Sequence, residues 1–329
     1  MFGYIVRRVL LMIPTLFIIS LIAFAVIQLP PGDFLTSYAA QLRAQGDSFD
    51  EAQINALRER YGLGQPFYVQ YSKWITGILF RGDWGQSFEW KKPVKDLIWE
   101  RLALTATLSF MSLIVSWFVA IPIGVYSATH QYSILDYVMS FISFVGLGTP
   151  GFMIALIILW FASTQLNMSV GGLFSEEFIQ EPWSLAKIWD LLKHLWIPVL
   201  ILALNGTAGS IRLTRANLLD ELNKPYVETA RAKGLTESKV IWKYPVRVAL
   251  NPFFSTVGWA LAQLISGAVL IAVVLSLQTT GPLLLRALTS QDMYLAGSFI
   301  LLLSTLTVIG TLISDIMLAW ADPRIRLEG

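Results

Sequence analysis

Apolar residues gather along this chain into long runs rather than into the alternating or half-faced patterns of soluble strands and helices. About 20 mainly apolar residues carry a helix across the hydrocarbon core of a bilayer. Six runs meet that requirement, at 9–28, 102–126, 137–161, 196–213, 253–277 and 296–320. The fourth is interrupted by Asn205, Gly206, Thr207, Gly209 and Ser210. Those groups are costly against lipid, so this helix is expected to face other helices or a wet cavity. Within the third run, Gly146-Leu147-Gly148-Thr149-Pro150-Gly151 predicts a helix break with packing glycines, not a phosphate loop.

The polar segments between the runs have patterns of their own. Residues 29–101 are too many for a mere connector. Ser48-Phe49-Asp50-Glu51 has capping-box spacing, and Ile54, Leu57 and Tyr61 then share a helical face before Gly62. We expect a folded cap there, held on the membrane surface by Trp74, Trp84, Trp90 and Trp99. It serves either as an interfacial ornament or as a docking platform. The segment 212–252 predicts two short helices. Asn223-Lys224-Pro225 starts the first, because the missing N–H of proline is harmless in a first turn. Gly234 is placed to end it in a left-handed cap, and Thr236 to start a second helix that Pro245 limits.

Composition agrees with the runs. Of 329 residues 55% are hydrophobic and 14% charged, too apolar for a water-soluble globule; mean hydropathy is +0.60. Cysteine is absent, which excludes disulfides, thiolate metal sites and Cys nucleophiles, and the two histidines, His130 and His194, stand far apart. No nucleophile–base pair, metal-ligand spacing or Walker-type loop emerges, and no basic run suggests nucleic acid. The partner that the composition does imply is the lipid bilayer.

Charge orients the spans. With the N-terminus cytoplasmic, Arg7 and Arg8, eight basic residues of the fourth connection, and Arg324 with Arg326 place twelve positive groups inside. The short outer connections hold Lys187, Lys193 and Arg286, while long loops cross regardless of charge. Both termini are therefore expected in the cytoplasm. The first run is longer than the apolar core of a secretory signal, so it is read as a retained span.

Inside the spans ionisable groups are few. Asp136 and Asp315 lie near span ends and are read as interfacial, and no chain of buried Asp, Glu or His marks a proton path. Small and hydroxyl residues are plentiful instead. Ser109, Ser112 and Ser116 share one face, as do Thr207 and Ser210; Gln263 and Ser266 mark the fifth span and Ser304 the sixth. These are candidates for a weakly polar translocation path, although close helix packing alone accounts for most such residues.

At Tyr226-Val227-Glu228-Thr229-Ala230-Arg231-Ala232-Lys233-Gly234-Leu235 the chain resembles the Glu-Ala-Ala, three residues, Gly motif of bacterial ABC importer permeases. It is more specifically similar to the dipeptide/oligopeptide group. Further matches are Tyr61-Gly62-Leu63, Gly82-Asp83-Trp84-Gly85, Glu100-Arg101-Leu102, His194 through Pro198, Arg212-Leu213-Thr214-Arg215 and Asp322-Pro323-Arg324-Ile325-Arg326. The resemblance implies an all-α integral membrane protein of six transmembrane helices, like a type I ABC importer permease, in the bacterial inner membrane. Residues 1–28 are then the first span, 29–101 the external cap, and 102–329 a five-helix core. It also implies a second related permease subunit, two cytoplasmic ATPase subunits and an external substrate-binding protein. By the same analogy Tyr226, Glu228, Ala230, Gly234 and Leu235 meet the ATPase. ATP and Mg belong to that partner; this chain binds no cofactor and performs no bond chemistry.

The sequence also departs from the pattern. Where peptide permeases carry a Glu and a Pro-Gly-Leu-Gly stretch after the fifth span, this chain reads Ala272-Val273-Val274-Leu275-Ser276-Leu277-Gln278-Thr279-Thr280-Gly281-Pro282. That leaves the cargo open between oligopeptides, oligosaccharides and other small solutes. An ion-coupled transporter, a membrane-embedded enzyme and a scaffold stand as alternatives from other classes.

Overall fold

The computed structural model describes residues 2–28, 59, 64–87, 89–165, 171–179, 181–255, 257 and 269–321. The capping box at 48–51, residues 256 and 258–268 of the fifth apolar run and the Asp322–Arg326 motif lie outside the described residues. The described elements are helical apart from one two-stranded hairpin. In chain order they are α1 (Phe2–Gln28), α2 (Phe67–Thr76), β1 (Gln86–Ser87), β2 (Lys92–Pro93), α3 (Val94–Thr129), α4 (Ile134–Gly148) and α5 (Gly151–Gln165). Then come α6 (Leu185–Leu222), α7 (Pro225–Ala232), α8 (Glu237–Lys243), α9 (Pro245–Ala249), α10 (Val269–Val274), α11 (Thr280–Thr289) and α12 (Met293–Ala321).

Four of these helices are long and apolar enough to cross a membrane: α1, α3, α6 and α12. The third apolar run divides into α4 and α5, bent by 103° where a single span was expected to break. The cause is Pro150. It pushes Thr149 into the extended region (φ −98°, ψ 123°) and removes an N–H, while the Thr149 hydroxyl and N–H both return to the Val145 carbonyl. Of the four long helices α6 is the least apolar and the most buried, as its interrupting Asn, Gly and Thr predict. At 1.5 Å per residue its 38 residues reach well beyond a hydrocarbon core about 30 Å thick.

The chain divides into two compact units. One holds Val6–Ala103 and Pro282–Val308. Its interior is built on Phe24, Trp74, Ile98, Leu295 and Phe299. Phe24 meets the edges of Phe67 and Tyr71 at 5.2 and 5.7 Å between centroids, and Ser20 shares a 2.7 Å hydrogen bond with the Tyr71 hydroxyl. A Cβ at Gly297 would stand 2.2 Å from Ile27, so α1 and α12 touch along backbone. The β1–β2 hairpin pairs Gln86 with Pro93 and Ser87 with Lys92, and the Ser87 hydroxyl donates to Asp292 at the start of α12. The four tryptophans do not all anchor a membrane surface as expected. Trp74 is buried in this interior, Trp84 and Trp90 pack partly buried against it, and Trp99 is exposed. Burial of so large an apolar ring inside the cap is the more favourable option wherever a core exists.

The other unit holds Met1–Ile5, Leu104–Gly281 and Ile309–Gly329. Leu104 and Leu108 of α3, Leu195, Ile201 and Leu202 of α6, and Leu275 form its largest apolar cluster. Near the start of α6, Asp190 accepts from the Ser175 N–H and hydroxyl at 2.8 and 2.7 Å, pinning the preceding loop to the helix.

Candidate coupling site

The segment between α6 and the fifth apolar run folds as three short helices. Pro225 opens α7 at its first position, and the chain leaves that helix through Lys233 and Gly234. Gly234 has φ +75°, the left-handed conformation its placement predicted, and its N–H reaches the Arg231 carbonyl at 2.9 Å. A Cβ there would meet nothing within 4 Å, so the need for glycine is one of backbone and not of space. Thr236 holds the N-cap position of α8, yet its hydroxyl makes no capping bond. Pro245 both limits α8 and starts α9.

Two features make this segment a compact body. Val227, Ala230 and Val240 are buried together, with Leu235 and Tyr244 packed against them. Outside, Arg231 forks onto Glu237 across the glycine turn, Nε to Oε1 at 3.0 Å and Nη2 to Oε1 at 2.6 Å. That hydrogen bond holds the Glu237 carboxyl below the usual carboxylate range. Desolvation and the Glu221 carboxylate it donates to push the Tyr226 phenol up, so Tyr226 stays a neutral donor. Val246 and Ala249 of α9 then pack on Leu218 of α6 and on Val125 and Ala128 of α3. The body is thereby seated on the ends of two long helices.

Of the five expected contact residues, Glu228 and Gly234 are exposed and Tyr226 is 38% exposed. Leu235 is half-buried, and Ala230 is inside the small core. Glu228 and Gly234 thus offer the free face, while Ala230 sets how closely α7 and α8 approach.

The expected path residues are mostly in helix contacts. Ser109, Ser112 and Ser116 are all buried on α3. Thr207 donates to the Ala203 carbonyl at 2.7 Å and to Ser116 Oγ at 3.2 Å, and a Cβ on Gly206 would lie 3.5 Å from that same oxygen. The Ser112 hydroxyl is buried and has no partner among the described residues. Ser210 and Ser304 are half-buried, each in its own unit. Gln263 and Ser266 lie outside the described residues. Asn205, met in the sequence only as an interruption of a span, is exposed and lies 3.3 Å from where a Cβ on Gly151 would stand, at the bend.

One feature escaped the sequence reading. Asp136 and Arg215, 79 positions apart, form a bidentate ion pair between α4 and α6. Among the described residues no three His, Asp or Glu side chains converge as metal ligands would.

Comparison with known proteins decides the family. The profile described as binding-protein-dependent transport system inner membrane component matches residues 120–327, and the corresponding N-terminal membrane-component profile matches residues 1–109. The chain belongs to that family. This permease is 36% identical over 99% of its length, and all of the relative's, to the oligopeptide transport system permease protein AppB of Bacillus subtilis (strain 168). It is 31% identical, at 99% and 100% coverage, to the dipeptide transport system permease protein DppB of Alkalihalophilus pseudofirmus. It is 32% identical, at 99% and 98% coverage, to the peptidoglycan transport system permease protein YejB of Agrobacterium fabrum. The expected resemblance is confirmed across the whole chain, and the family places the permease in the inner membrane.

Proposed function

We propose that this chain is one of a pair of related permease subunits in an ATP-driven importer, and that its cargo is an oligopeptide or a related small solute. The cargo class is supported by relatives that cover the chain end to end and are named as oligopeptide and dipeptide permeases. Six spans with both termini cytoplasmic, an external cap at 29–101 and a core at 102–329 complete the reading. An external binding protein delivers the solute. Two cytoplasmic ATPases, which hold the ATP and Mg, take up the segment around Glu228 and Gly234.

The observation that carries this reading is the seating of α7–α9. A compact body with an exposed Glu228–Gly234 face sits directly on the ends of α3 and α6 through Val246, Ala249 and Leu218. Force applied to that face reaches two long helices without passing through a flexible linker. In alternating access, closure of the ATPase pair on ATP displaces this body, the helices swing, and hydrolysis returns them. The described buried carboxylates are already engaged: Asp136 by Arg215, Asp190 by Ser175 and Asp292 by Ser87. Among the described residues, that arrangement favours a structural over an ion-carrying role for these carboxylates.

The test is import into proteoliposomes holding the permease pair with its ATPases and binding protein. Oligopeptide uptake that stops with a non-hydrolysable ATP analogue is the expected result. Uptake driven by an ion gradient without ATP would overturn it.

A further inference from the structure

One ion pair with a buried carboxylate joins two elements that must move together or slide. Arg215 donates from Nε to Asp136 Oδ1 and from Nη2 to Oδ2, both at 3.0 Å. The Asp136 side chain is 4% exposed. The Tyr132 N–H adds a third bond to Oδ2 at 3.0 Å, from a residue held at φ +62°. Asp136 in turn donates its own N–H to the Ser133 hydroxyl that caps α4. The carboxylate is thus held by a backbone N–H besides the guanidinium, and its own backbone is held by the cap.

Arg215 is 30% exposed and Asp136 buried, and burying a charge is a poor way to gain stability, because desolvation offsets most of the attraction. What a planar fork on a carboxylate does supply is a fixed relative position, since both bonds fail if either helix slides or rotates. The location makes that geometry consequential. One and two turns beyond Arg215 on α6, Leu218 and Leu222 carry the seat of α9. Two turns before it, Ala208 lies against Gly146 of α4, and Asn205 against Gly151 of α5. Those last contacts are small and apolar or merely close, so they tolerate sliding; the ion pair does not.

We infer that the Asp136–Arg215 pair is a positioning link of the transport cycle, locking the bent α4–α5 helix to α6 so that displacement of the α7–α9 body reaches the bend at Thr149–Pro150. The link rests on the coupling function proposed above. Without it, α6 moves under the load while α4–α5 stays behind. Neither residue touches the ATPase or the cargo in this scheme.

The experiment uses the full reconstituted complex and reads import per ATP hydrolysed, normalised to assembled complex. The variants are Arg215→Lys, Asp136→Asn and the apolar pair Asp136→Leu with Arg215→Met. A link of typical coupling strength predicts that import per ATP falls about fivefold or more in all three while ATP hydrolysis continues. The apolar pair separates positioning from packing, because replacing a buried ion pair by apolar groups commonly preserves the fold. Reduced yield with an unchanged import-to-ATP ratio would show a structural role only and overturn the inference. Wild-type ratio in the apolar pair would do the same. A wild-type complex that imports without ATP would instead bring down the coupling function itself, and the link with it.

Discussion

Gly234 joins α7 to α8 at φ +75° with open space where a Cβ would go. A β-branched side chain in that conformation costs about 1–2 kcal/mol, and alanine costs less. Gly234→Val is therefore expected to distort the turn that Arg231 and Glu237 span, leave the spans in place, and abolish import together with ATPase co-purification. Gly234→Ala should keep part of both activities. Near-normal import by the valine variant would reduce this segment to a positively charged loop that only sets topology. Ser112 poses the opposite question, because its buried hydroxyl has no partner among the described residues. Removing an unpaired buried group is close to neutral or stabilising. Ser112→Ala should match or exceed the wild-type melting temperature, and import should change by less than about tenfold, or about 1.4 kcal/mol. A larger loss of import at unchanged stability would mean that the hydroxyl meets cargo in another conformation.

Among the elements, α3 and α6 show how the small-residue stripes are used. A Cβ at Gly124 would stand 2.5 Å from Thr214 Cβ and 3.0 Å from the Ile211 carbonyl. The backbones are that close because nothing larger intervenes, the usual means of packing helices in a membrane. Gly124→Val should push them apart at about 1–3 kcal/mol for overpacking, seen as a lower melting temperature in detergent. An unchanged melting temperature would show that the helices do not meet there. The same elements show what the sequence discloses and what it hides. Pro225, Gly234, Pro245 and the Thr149–Pro150 break were legible because proline and glycine act on the backbone locally. Ala230 inside the α7–α8 core, Trp74 inside the cap and the Asp136–Arg215 pair were not. Each depends on which surfaces meet in three dimensions, and no periodicity or spacing carries that information. Asn205 falls between: it read as a flaw in a span, and only its place beside Gly151 gives it a setting.

For the whole molecule, the distribution of charge along the chain argues for one orientation. Eight basic residues lie in the connection that folds as the end of α6 and α7–α9, including Arg212, Arg231, Lys243 and Arg247. Such short, strongly basic connections are retained on the cytoplasmic side. The fold adds that this segment lies outside the hydrocarbon, because Glu228, Arg231 and Glu237 are exposed on a compact polar body. The connection ahead of α6 differs: it exposes Glu176, Glu177 and Glu181, and Lys187 is buried with its ammonium against the Glu181 carbonyl and the rings of Phe174 and Trp183. With only Lys187 and Lys193 against eight basic residues in the next connection, that side should be external. Reporter fusions near residues 234 and 329 are therefore expected to read cytoplasmic, and those after residue 29 and near residues 175 and 290 to read external. A cytoplasmic signal near residue 175 would invert α6 and carry α7–α9 away from any ATPase, so this one reading tests orientation and coupling together.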